Sequence, residues 1–191
     1  VKSRHKSGPV SGSGVYRYAI MRNPTEPIYN EDGSYYENFG INYYYNPVGM
    51  LQEVEGEGTN ENTRMTGNIT FEPIKGWQTN LMLARNTTMT HGRSFQTSDH
   101  YSQVLAYRTG YASQSHNEYV TDNLEITSKY NHTWDKHRFD ALVGYSYQYG
   151  VYEGFNASNY NFPSDLFSYN NLALGTAIKD GKAGLGSYKN D

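Results

Sequence analysis

The chain has 191 residues, a net charge of −3 and 18% charged residues, without the basic stripe that nucleic-acid binding requires. It contains no cysteine, which excludes a disulfide framework and a thiolate metal site. Mean hydropathy is −0.82 and no run approaches the roughly 20 apolar residues of a transmembrane helix, but barrel strands alternate apolar and polar residues and average out in such an index. There is no charged n-region or apolar h-region at Val1, so any signal peptide is expected to be absent, removed or outside this sequence. The unusual counts are 20 Tyr and 19 Gly. Tyrosine suits membrane interfaces and also sugar- or peptide-contacting surfaces, because its ring is apolar and its hydroxyl is not.

Residues 1–62 show little regular periodicity and read as a loop region. Asn23-Pro24 and Glu26-Pro27 end any helix begun at Tyr16, and Glu31-Asp32-Gly33 between two Tyr-containing runs signals a short hairpin. The pattern changes at Arg64. Met65, Gly67, Ile69 and Phe71 alternate with Arg64, Thr66, Asn68, Thr70 and Glu72, which is a strand with a different solvent on each face. Pro73 to Gly76 gives a tight turn, and Trp77, Thr79, Leu81 and Leu83 continue the alternation.

Residues 91–118 are polar and read as a long loop. Leu124, Ile126 and Tyr130 then alternate with Glu125, Thr127 and Lys129, with Ser128 and His132 as exceptions. Asp135-Lys136-His137 makes a short turn, after which Phe139, Ala141, Val143, Tyr145, Tyr147 and Tyr149 alternate with Arg138, Asp140, Leu142, Gly144, Ser146 and Gln148. Residues 63–152 are therefore expected to be about four long strands in two hairpins. Residues 153–191 read as a second loop.

Three features favour an antiparallel transmembrane β-barrel segment over a soluble sheet. The strands reach or exceed the 9–11 residues that a tilted spanning strand needs, where globular strands run about 5–6. Short turns alternate with long loops, as on the two sides of an outer membrane. Phe71 and Trp77 flank one short turn and Trp134 and Phe139 the other, as an interfacial girdle should. Met65, Ile69, Phe71, Leu81, Leu83, Ile126, Phe139 and Val143 are then expected to face outer-membrane lipid. Arg64, Glu72, Glu125, Lys129, Arg138 and Asp140 would face a hydrated lumen.

The runs Asn23-Pro24-Thr25-Glu26-Pro27-Ile28-Tyr29-Asn30-Glu31-Asp32-Gly33, Asn46-Pro47-Val48, Phe71-Glu72-Pro73-Ile74-Lys75-Gly76-Trp77 and Tyr130-Asn131-His132-Thr133-Trp134 resemble the SusC/RagA-type TonB-dependent transporters of Bacteroidota. The resemblance implies a 22-stranded outer-membrane barrel blocked by an N-terminal plug. It also implies a SusD-like surface lipoprotein as a lid, and import of oligosaccharides or oligopeptides powered through TonB. Four strands cannot close such a barrel, and neither plug nor TonB-contacting segment is visible. The sequence is therefore expected to be an internal piece of a roughly fivefold longer protein. A surface binding or adhesion barrel and a soluble β-sandwich carbohydrate-binding module remain as alternatives.

Loop aromatics are the candidate contacts for a ligand or a lid: Tyr29, Tyr35, Tyr36, Tyr43, Tyr44, Tyr45, Tyr160, Phe162 and Tyr169. His91, His100 and His116 share one polar stretch, but spacings of nine and sixteen match no compact ligand motif, so no metal or cofactor is expected. No nucleophile elbow or paired catalytic carboxylates support an enzyme. Asn68 with Thr70 and Asn131 with Thr133 form glycosylation sequons, which the period-two pattern already explains as the water-facing side of two strands.

Overall fold

A computed structural model describes residues 1–7, 12–40 and 45–190; Tyr43 and Tyr44 lie outside them. Six antiparallel strands form one sheet in sequence order: β1 (Lys2–Ser7), β2 (Val54–Ile74), β3 (Trp77–Gln96), β4 (Tyr111–Trp134), β5 (His137–Tyr160) and β6 (Gly184–Asn190). Among the described residues three short α-helices, α1 (Gly12–Met21), α2 (Pro47–Gln52) and α3 (Tyr101–Leu105), lie in the connecting segments, and three 3-10 turns lie between Asp165 and Ile178. The sheet is open: β1 and β6 are short strands on its two edges. Among the described residues the strands form a single sheet, with no second sheet packed on it.

Both short turns lie where the sequence puts them, and both are tighter than expected. Ile74 pairs with Trp77 across Lys75-Gly76, and Trp134 with His137 across Asp135-Lys136. Gly76 has φ +89°, and a Cβ there would lie 2.3 Å from the Asn131 carbonyl oxygen. The register shifts between Phe71 and Ile74, which places Pro73 where no ladder N–H is needed. Asp135 has φ 46°, a left-handed conformation that Asp tolerates better than most residues.

The hairpins are staggered. Trp77, which closes the first, lies opposite Tyr130, whereas the second closes four residues further along β4 at Trp134. Four residues are about 13 Å of strand and two inter-strand steps about 9.6 Å, so two turns at one level imply strands slanted by about 50°. Barrel closure requires a strong slant of this kind.

The strands are longer than the alternation suggested. β2 and β3 have 21 and 20 residues, β4 and β5 each 24. Strand pairing therefore reaches back to Val54, within the 1–62 region read as loop, and takes in 91–96, 111–118 and 153–160. The loops proper are 97–110 and 161–183. In these extensions both faces carry polar residues, so the backbone ladder continues while the period-two signal disappears. The expected short hairpin near Glu31-Asp32-Gly33 is present as a single antiparallel bridge between Tyr29 and Tyr35.

Burial is inverted relative to a soluble domain. The small core is Phe95, Ala112 and Phe162, at one end of the sheet. Meanwhile Met65, Ile69, Phe71 and Val143 are each more than 60% exposed on one continuous surface.

Candidate functional site

Cross-strand register assigns every strand side chain to one of two faces, since residues directly opposite share a face. Four successive rows on one face read Gly67–Leu83–Leu124–Tyr147, Ile69–Leu81–Ile126–Tyr145, Phe71–Thr79–Ser128–Val143 and Trp77–Tyr130–Ala141. His132–Phe139 and Trp134–His137 follow at the turn end. All eight residues expected on the lipid side thus share one face, and so do the four aromatics expected in the girdle. Arg64, Glu72, Glu125, Lys129, Arg138 and Asp140 lie together on the opposite face. Leu142 is the apolar exception there and is exposed.

The two breaks in the alternation have local explanations. Ser128 lies on the apolar face, where its Oγ accepts the Trp77 indole N–H at 2.8 Å and lies 3.0 Å from the Thr79 hydroxyl. A hydroxyl on an apolar surface needs such partners. His132 packs between Tyr130 and Trp134, with ring centroids 6.1 and 4.4 Å away. It is part of the aromatic belt at the turn end.

Along the same face, away from the turns, the chemistry changes abruptly. Arg85 meets Asp122 (3.7 Å), Lys2 and Arg4 meet Glu61 (3.2 and 3.1 Å), Lys189 meets Glu153 (3.6 Å) and Arg93 meets Glu57 (3.6 Å). Exposed pairs of this kind add little stability, but they mark where the surface becomes hydrated. On β5 the apolar stretch runs from Phe139 to Tyr149, eleven residues whose ten steps cover about 33 Å of strand. At a tilt of about 45° that spans about 23 Å, close to the ~25 Å apolar band of outer-membrane barrels.

Beyond the charged zone the face is covered. Phe95, opposite Ala112, is 1% exposed and meets Phe162 edge-on at 5.7 Å, with Tyr169, Leu172 and Leu174 packed around them. Asn159 Nδ2 donates to the carbonyls of Leu172 and Gly175, fastening the 161–183 loop to the wall.

The polar face carries the best-formed aromatic cluster. Tyr119 lies opposite Tyr152, and Tyr188 opposite Gly154, all on that face. Tyr152 is 6.2 Å from Tyr119 and 5.2 Å from Tyr188, ring to ring. The Tyr188 hydroxyl bonds Asn117 Oδ1 at 2.7 Å and the Tyr152 hydroxyl at 3.0 Å. Tyr188 lies so close over Gly154 that a Cβ there would fall 2.4 Å from its ring; Tyr119 covers Gly150 in a looser contact. The three rings remain about 40% exposed, a platform with a polar rim.

The aromatics chosen from the sequence divide differently. Phe162 is buried in the core, so its expected contact with a ligand or lid is corrected to a packing role. Tyr169 packs beside it, and its carbonyl accepts from Gln114. Tyr45 stacks on Tyr101 at 4.1 Å and meets Tyr18 at 5.5 Å, tying together three loop segments. Tyr36 lies beneath the Arg22 guanidinium and Tyr160 beneath that of Arg108. Tyr29 and Tyr35 pair with each other, with Tyr29 half exposed. Sequence reading passed over Tyr119, Tyr152 and Tyr188. The signal available was their alignment with Gly150 and Gly154 on the water-facing positions.

The three histidines of the polar stretch also separate. His91 and His116 face each other across β3 and β4, whereas His100 caps α3. Burial holds the His100 imidazole at a pKa of about 4, below its ordinary 6.5, and Nδ1 accepts the Ser102 N–H. Below about pH 6.5 the unfolded segment binds a proton that the folded one refuses. The 97–110 loop therefore loses stability as pH falls from about 6.5 towards 4. Amide exchange at Ser102 and Gln103 should accelerate across that window, and the acceleration should vanish in His100→Asn. Among the described residues no group of three or more His, Asp or Glu could hold a metal, and no helix is long and apolar enough to cross a membrane.

With this geometry in hand, comparison with known proteins finds likenesses among solved structures. The structure of the RagAB peptide transporter superposes with a TM-score of 0.67 over 85% of this chain, at 17% sequence identity. The fold is thus shared with a stretch of one chain of that structure. The match covers 18% of that chain's length. No family model matches the sequence, and no curated protein matches it.

Proposed function

We propose that this chain is part of the wall of a SusC/RagA-type TonB-dependent importer of the bacterial outer membrane, carrying oligosaccharides or oligopeptides. One observation carries the reading: an open, strongly slanted sheet with an exposed apolar band, an aromatic belt at its turn end and ion pairs at its other end. Such a surface needs an apolar environment to cover it, and the hydrocarbon of an outer membrane matches the height of the band. The likeness to a peptide transporter chain supports it. The apolar face contacts lipid and the polar face lines the lumen, with both short turns periplasmic and the long loops extracellular. A SusD-like lipoprotein closes the mouth and TonB supplies the energy through a region outside this sequence.

The tyrosine platform lies on the lumen face beyond the apolar band, where an entering ligand meets the wall. Aromatic faces stack on sugar rings and on peptide side chains, and their rigidity limits the entropy lost on binding. Uptake of labelled oligopeptides and oligosaccharides by cells carrying the intact protein tests the proposal. Uptake of one class should require both the protein and TonB, and Tyr152→Ala should weaken it severalfold while the barrel still assembles. Surface binding without TonB-dependent uptake would favour the adhesion alternative.

A further inference from the structure

We infer that His91 and His116 form a binding site for a divalent transition-metal ion, Zn²⁺ or a similar borderline ion, on the outer surface of the wall. The two residues are 25 apart in sequence and directly opposite across β3 and β4. Their rings lie with centroids 4.4 Å apart and their Nδ1 atoms 3.1 Å apart. Two nitrogens bound to one ion at about 2.0–2.1 Å, with an angle between about 90° and 109°, are about 2.9–3.4 Å from each other. The observed separation falls inside that interval, so an ion needs almost no backbone movement.

Without an ion, the contact is a hydrogen bond in which one Nδ1–H donates to the other ring. Binding requires both Nδ1 lone pairs, so the donor ring takes its other tautomer with hydrogen on Nε2. No net proton is released when both rings are neutral. The site lies on an exposed, hydrated part of the sheet, and water can complete the coordination.

Its surroundings carry charges of both signs. In the next row towards the apolar band, on the same face, are Glu61, Glu118 and Glu153. Glu118 lines the same hollow as His116, and Glu61 acts electrostatically on His91. Lys2 and Arg4 pair with Glu61, Lys189 with Glu153 and Arg93 with Glu57, so the neighbouring charges largely cancel and the two imidazoles themselves supply the binding. Imidazole donors with carboxylates close by select Zn²⁺, Cu²⁺ or Ni²⁺ over Ca²⁺ and Mg²⁺.

The test is calorimetric titration of ZnCl₂ into the intact protein in detergent at pH 7.5, beside His91→Gln and His116→Gln. Both side chains are solvent-accessible, and Gln retains a hydrogen-bonding group. The expected result is a saturable site lost or weakened at least tenfold in either variant. Identical titrations of wild type and variants would overturn the assignment. A second readout needs no variant: Zn²⁺ should protect His91 and His116 from diethylpyrocarbonate while His132 reacts as before. Equal modification of all three with and without the ion contradicts the site.

Discussion

Arginine at Ile69 should destabilise the membrane-inserted protein by about 2–4 kcal/mol, whereas arginine one residue earlier, at Asn68, should change it by well under 1 kcal/mol. Ile69 is 63% exposed and sits in the row Ile69–Leu81–Ile126–Tyr145, well inside the apolar band. A guanidinium there has hydrocarbon around it and no acid in its own row. Asn68 lies opposite Met82 on the other face, where Arg64 and Glu72 already occupy neighbouring positions. The two sites are adjacent in sequence and nearly equivalent in backbone environment, so the contrast isolates the solvent each face meets. Folding into lipid vesicles against a urea gradient measures it; equal costs would contradict the assigned faces.

Phe95→Ala should cost about 3–5 kcal/mol in the stability of the upper wall. The ring is almost wholly buried and holds Phe162, and Gly110 approaches it so closely that a Cβ there would lie 3.2 Å from Cζ. Deleting it leaves a cavity at the point where the 161–183 loop is fastened, while the apolar band far below is untouched. The loop should become protease-sensitive and the amides of 111–114 should exchange faster, with those of 124–130 unchanged. Loss of protection throughout all four long strands would mean that the wall is not divided in this way.

The sequence was most legible where the two faces differ in polarity. Ile69 against Asn68, or Tyr145 against Ser146, can be assigned because one apolar and one polar face force alternation. The same strands became illegible beyond Arg85 and Asp122, where both faces carry polar residues. His91 and His116 were therefore read as loop residues. In truth alternation reported where the apolar band ends, and the hydrogen-bonded ladder continues past it. The His91–His116 pair was invisible for a related reason: cross-strand register, rather than spacing along the chain, brings the rings together. Phe162 was misread because a loop aromatic offers no sequence clue to whether it faces outward or folds back onto a strand. Ser128, which looked like a fault in the pattern, depends on Trp77, fifty-one residues away.

The sharpest test of the two-faced wall exploits the absence of cysteine from this sequence. Single cysteines placed in turn at 65–71 and 142–148, spin-labelled in the reconstituted protein, report collision with oxygen and with a water-soluble nickel chelate. Oxygen accessibility should peak at 65, 69, 71, 143, 145 and 147, and nickel accessibility at 66, 68, 70, 144, 146 and 148. Accessibility without a period of two, or with the phases of the two strands opposed to the register, would contradict the account.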